Sequence, residues 1–127
     1  MKLKYTIHYV KNVKETLAFY GSAFGIPTQF LHESETYGEL NTGETTLSFS
    51  SLQLMRDLGK NPSSPDPQRP CFEIAFQTED VAAAYARAVE AGAVPVQSPE
   101  RMPWGQTVAY VSDLNGFLVE ICTAVET

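Results

Sequence analysis

Glu120 stands inside "GFLVEIC", a run whose other members favour leaving water. An ionised carboxylate buried without partners costs several kcal/mol, so this position calls for a counter-charge, a metal, a retained proton or a wet cavity. Trp104, in "MPWGQ", precedes a strand instead of filling a helical stripe, with Pro103 stiffening the chain before it and Gly105 freeing it after. Burying its ring would remove roughly 200 Å² from water, so Trp104 reads either as a cavity wall or as a cover for the core or a dimer contact. His8 and His32 are the only imidazoles, and Cys71 and Cys122 form no CxxC-type metal pair.

The totals bound the partners. A chain of 127 residues with 43% hydrophobic content suits one globular domain with its own core. Nine basic against fifteen acidic residues give a net charge of −6, which argues against nucleic acid or an anionic membrane and leaves a small-molecule or protein ligand. "MKLKYTIHYV" lacks an apolar stretch of signal length, and no run approaches the roughly 20 apolar residues of a membrane span. The expected location is cytoplasmic, with both thiols reduced.

The elements that must position these residues come in two similar sets. "YTIHYV" alternates as a strand. Asn12 then caps a helix on which Val13, Leu17, Tyr20 and Phe24 recur at helical spacing, until Gly25 stops it. "TQFLHE", "TYGEL" and "TTLSFS" follow as strands, the last two joined by a tight turn at residues 41–44. "RDLGKNPSSPDPQRP" gathers four of the eight prolines without periodicity and reads as a connector. After it come "FEIAFQ" as a strand and a helix capped by Asp80 with Val81, Tyr85 and Ala88 along one stripe. Three more strands, "VPVQS", "QTVAYVS" and "FLVEICT", complete the set, and "DLNG" makes the last turn. The predicted fold class is α+β: two βαβββ modules, about 1–55 and 71–127, joined by the connector 56–70 and repeating at an offset of 68. Each sheet has one helix on one face, so its other face needs a partner or encloses a cavity.

With these elements the chain resembles the vicinal oxygen chelate superfamily, which includes glyoxalase I, extradiol dioxygenases, fosfomycin-resistance proteins and bleomycin-binding proteins. The resemblance is carried by "YVKNVKETLAFYGSAFG", "FEIAFQTEDVAAAYARAVEAGA" and "PWGQTVAYVSDLNGFLVEI". It implies one domain in which the two modules curl a mixed sheet into a cup, and a homodimer. It also implies metal-ligand places on the first and fourth strands of each module, which fall on Tyr5, at or near Ser48, on Glu73 and on Glu120. Only the two glutamates are good ligands. Neither histidine mends the set, since by alternation His8 faces opposite to Tyr5 and His32 lies on the second strand or its turn.

The resemblance further implies that Glu73 and Glu120 are close, abreast on neighbouring strands. Two such carboxylates without a cation share a proton and so become donor and acceptor together, fit to hold a ligand or to act as a general base. The plainer reading is that an arginine, such as Arg69 or Arg101, or water meets one of them. On the abreast register Cys71 and Cys122 lie roughly 13 Å apart, too far to bridge.

The expectation is therefore a metal-independent binding protein without a cofactor, holding a small aromatic or amphipathic molecule. Glu120 and Glu73 are its candidate catalytic or polar residues, and Tyr5, Tyr9, Ser48, Phe49, Trp104 and Tyr110 its ligand contacts. The alternative is a glyoxalase-like lyase or isomerase, or a ring-cleaving dioxygenase, with a divalent metal on Glu73 and Glu120. A third reading leaves the cup vestigial and the dimer an interaction module.

Overall fold

In the computed structural model, residues 1–125 are described. The backbone divides into two compact units, Met1–Ser64 and Pro65–Thr127. The first unit holds β1 (Tyr5–Val10), α1 (Val13–Phe24), β2 (Thr28–Leu31), β3 (Tyr37–Leu40), β4 (Thr46–Ser51) and α2 (Leu52–Asp57). The second holds β5 (Glu73–Gln77), α3 (Val81–Glu90), β6 (Val94–Arg101), β7 (Thr107–Ser112) and β8 (Leu118–Cys122). Each unit has one four-stranded mixed sheet, ordered β1-β4-β3-β2 in the first and β5-β8-β7-β6 in the second. The first strand of each pairs in parallel with the last, and the remaining pairs are antiparallel. The fold class is α+β.

Local chemistry accounts for the helix ends. The Asn12 side chain accepts the Glu15 backbone N–H at 2.9 Å, and Asp80 accepts that of Ala83 at 3.0 Å. Gly25 takes φ 69°, the left-handed geometry that lets its N–H and that of Ile26 close the last carbonyls of α1. α2 begins between the expected strand 45–50 and the expected connector 56–70 and takes in the first two connector residues: Ser51 caps it by accepting the Leu54 N–H at 3.0 Å. Its six residues are too few to display a period.

Packing assigns the faces. In the first sheet Val10, Leu40, Leu47 and Phe49 are buried toward α1, whose Val13, Leu17 and Tyr20 are buried in turn. Tyr20 and Phe49 meet with ring centroids 5.2 Å apart, and His8 stands edge-on to Phe49 at 6.0 Å. A fully buried side chain of this size contributes about 1.5–3 kcal/mol. Helix and sheet come especially close at Gly38, where a Cβ would lie 2.6 Å from Leu17 Cδ1 and 3.0 Å from Val13 Cγ1. In the second sheet Ala109, Val111, Val119 and Ile121 form the corresponding buried set, with Val81 and Ala88 from α3. Asp113 builds the β7–β8 turn, its Oδ1 accepting the N–H groups of Asn115 and Phe117 at 2.8 and 2.9 Å.

Candidate functional site

In the second sheet, β5 and β8 run parallel with Ala75 opposite Glu120 and Glu73 opposite Leu118. β7 places Tyr110 opposite Glu120. Alternation then puts Glu73, Glu120 and Tyr110 on one face, the face turned away from α3, while Val119 and Ile121 point toward the helix. This settles why an acid interrupts "LVEIC": the apolar neighbours of Glu120 face the core and Glu120 does not. Glu73 and Glu120 are not abreast, as expected, but offset by two residues, because the pairing of β5 with β8 is set by packing that no local pattern encodes. The offset keeps them on the same face and within hydrogen-bonding reach.

Glu120 is half-buried. Burial raises its carboxyl above the usual range, the charge of Glu73 and a hydrogen bond with Glu73 raise it further, and a hydrogen bond from Tyr110 acts in the opposite sense. Tyr110 answers in kind: burial, followed by the charges of Glu120 and Glu73, lifts its phenol above 10 and keeps it a donor. Neither Arg69 nor Arg101 is among the groups that perturb Glu120. Arg69 lines a small cavity of about 60 Å³ with Pro65, Pro70 and Phe72, and Arg101 ends β6 opposite Thr107.

Trp104 does not cover the core. It lies in the β6–β7 turn, 58% exposed, and its Nε1–H donates to Gln106 Oε1 at 2.9 Å. Gln106 donates in turn to the Thr123 carbonyl at 2.9 Å, tying Trp104 to the end of β8. Gln106 escaped the sequence reading because an amide beside a turn carries no distinguishing spacing.

In the first sheet, Ile7 lies opposite Ser48 and Glu39 lies opposite Ser48 on the other side. Tyr5, Tyr9 and Ser48 share the face turned away from α1; Tyr5 is exposed, Tyr9 half-buried and Ser48 buried. Phe49 does not belong with them. As Ser48's neighbour in a strand it must face the other way, and it is fully buried against Tyr20 and His8. His8, on the same inner face, is likewise removed from Tyr5, and burial lowers its pKa from 6.5 to about 4. His32 follows β2 in a turn, with Nδ1 2.7 Å from Ser34 Oγ. Cys71 is exposed and Cys122 buried, and both are free thiols. Since Cys122 lies opposite Gln77, the cysteines are offset by six residues, further apart than the expected four.

A divalent transition metal at a catalytic site needs about three protein donors. Among the described residues, no three of His, Cys, Asp and Glu gather to hold a metal ion. The carboxylates of Glu73 and Glu120 supply two donors, and the hydroxyl beside them is a phenol held above its ordinary pKa, a poor ligand. The second sheet's donor set therefore does not fit such a metal.

The model of the glyoxalase/bleomycin resistance protein/dioxygenase superfamily matches residues 2–121. The chain belongs to this superfamily. Among proteins similar to this superfamily member is the uncharacterized protein YraH of Bacillus subtilis (strain 168), 28% identical over 124 residues, spanning 95% of this chain and 97% of that one. Among solved structures, a glyoxalase-related enzyme from Fulvimarina pelagi superposes with a TM-score of 0.82 at 22% identity, covering 98% of this chain and 88% of that one. A glyoxalase/bleomycin resistance protein/dioxygenase family enzyme from Burkholderia phytofirmans PsJN also gives 0.82, at 19% identity, covering 99% and 100%. At these identities the superpositions establish the fold of the superfamily member and leave its chemistry to its own residues. No helix among the described residues is long and apolar enough to cross a membrane.

Proposed function

We propose that this superfamily member binds a small aromatic or amphipathic molecule without a metal, as a homodimer. One observation carries the reading: Glu120, Glu73 and Tyr110 meet on the helix-free face of the second sheet, with Glu120's carboxyl raised by burial and by Glu73. A carboxyl pair that retains a proton offers a donor and an acceptor at once, and the Tyr110 hydroxyl adds a second donor. Such a set orients an amide, amine or hydroxyl on a ligand whose remaining surface is apolar. On the first sheet, taken by itself, Tyr5, Tyr9 and Ser48 offer aromatic surface and a hydroxyl on the face turned away from α1. The indole of Trp104, fixed to Gln106, reports on ligands that approach the β6–β7 turn.

The pairing of Glu73 with Glu120 also motivates the rival reading, a divalent-metal lyase, isomerase or dioxygenase. Metal analysis separates the two. Protein produced with nickel, zinc, iron or manganese supplied in turn, and desalted without chelator, is expected to retain far less than one metal per subunit. Near-stoichiometric metal lost in Glu120→Gln would establish the rival.

A further inference from the structure

The outer edge of the second sheet carries a hollow at one end and a projecting ring at the other. β6 is the last strand in the order β5-β8-β7-β6, so its outer side pairs with no strand among the described residues. Pro95 and Pro99 have no N–H to offer there, which closes this edge to a further strand joined by a continuous backbone ladder. What the edge offers instead is apolar surface. Val94 is 58% exposed, Val96 54%, and Leu114, in the β7–β8 turn, 51%. Single exposed apolar side chains are ordinary, but these three line one open hollow of about 510 Å³ together with Pro67 and Pro95.

The projecting ring is Trp104. Its turn is closed by the Gly105 N–H, which donates to the Met102 carbonyl at 2.9 Å, and by the Met102 N–H, which donates to the Gln106 carbonyl at 2.7 Å. The indole therefore stands 58% exposed on a stiff support. Its Nε1–H already donates to Gln106 Oε1, so the ring can leave water without losing a hydrogen bond. A large side chain ordered in advance, with its polar atom satisfied, is the kind that anchors a protein interface. Ring and hollow cannot meet within one chain, because β6 holds its ends roughly 23 Å apart and Trp104 lies beyond Arg101.

We propose that two copies of this chain pair along β6, each Trp104 filling the other's hollow between Val94, Val96 and Leu114. With the two strands side by side and antiparallel about a twofold axis near Pro99, position 104 of each copy falls against position 94 of the other. The contact is isologous and closes at two chains. The same register sets Arg101 of one copy near Gln97 of its partner. Gln97 Nε2 donates to Glu100 Oε2 at 3.0 Å, which holds that carboxylate beside Gln97. Arg101 is exposed and has no ion pair among the described residues. Each Arg101 meets the partner's Glu100, so charge is complementary on the register that seats the tryptophans. The pairing surface deepens the homodimer of the reading above and rests on that part of it alone; Glu73, Glu120 and any ligand play no part.

The test is sedimentation of the full chain over a range of concentrations, with the emission of Trp104, the only tryptophan, followed in parallel. A dimer is expected, its emission shifted to the blue of the dilute monomer's as the indole leaves water. Trp104→Ala and Leu114→Asp alter side chains that are exposed in the single chain, so neither opens the core. Each should weaken the dimer at least about thirtyfold, the worth of an anchor residue. Arg101→Glu should weaken it a few-fold, and adding Glu100→Arg should restore most of that loss. A monomer at every concentration would overturn both this surface and the homodimer of the proposed function. A dimer that keeps its affinity in Trp104→Ala and Leu114→Asp, or whose emission is unchanged on dilution to monomer, would overturn this surface alone, as would open-ended oligomers.

Discussion

Glu73 and Glu120 lie on adjacent parallel strands, on one face and two residues out of register. The offset spares them direct opposition while keeping Glu73 close enough for its charge to act on Glu120, with Tyr110 beside Glu120 as a further donor. The consequence is a Glu120 carboxyl raised by burial and by the charge of Glu73, and this shift is measurable through stability.

The carboxyl of Glu120 is raised in the folded protein. The folded state therefore holds the proton more tightly than the unfolded chain does. Its contribution to stability is present below the unfolded carboxylate pKa and is lost as pH rises through the folded one. Glu120→Gln, which cannot ionise, should be more stable than the wild type near neutral pH, by roughly 0.2–1 kcal/mol, the usual worth of a like-charge cross-strand contact. The difference should shrink as pH falls toward 4. Urea denaturation across that range reads both, and a variant less stable than the wild type at neutral pH would mean that the carboxylate is held by a cation.

His8 has the opposite dependence. Burial lowers its pKa to about 4 from 6.5, so the unfolded chain takes up the proton first. Stability is full above 6.5 and declines as pH falls toward 4, by about 3 kcal/mol in total if this group acts alone. His8→Leu, similar in volume and packed on Phe49, should flatten the acid limb of the stability profile between those values. An unchanged acid limb would show that other groups set it.

Much of this fold was legible in the sequence, and the misses follow one rule. The caps Asn12 and Asp80, the stop at Gly25, the turn from Asp113 to Gly116 and the offset of 68 all depend on neighbours in the chain, and the structure has each of them. Phe49 cannot share a site with Ser48, since adjacent strand residues face opposite sides, and alternation alone separates the two. The offset of Glu73 from Glu120 was not readable, since register between strands remote in sequence is decided by packing.

Gly38 itself makes a prediction. A methyl group there would meet Leu17 at 2.6 Å and the Phe30 carbonyl at 3.3 Å, so α1 would have to lift or Leu17 leave its rotamer. Gly38→Ala should cost about 1–3 kcal/mol, the usual penalty of overpacking, seen as a lower urea midpoint with an unchanged slope. A neutral effect would mean that α1 is free to shift on its sheet.

The most direct test of metal-free binding uses the fluorescence of Trp104, the only tryptophan in the chain. The protein is titrated, with excess chelator present, against a panel of planar aromatic and amphipathic compounds, and the best binder is repeated with Glu120→Gln. Saturable quenching in chelator, weakened about tenfold or more in the variant, is the predicted result. Saturation that appears only when a divalent metal is restored would contradict the account.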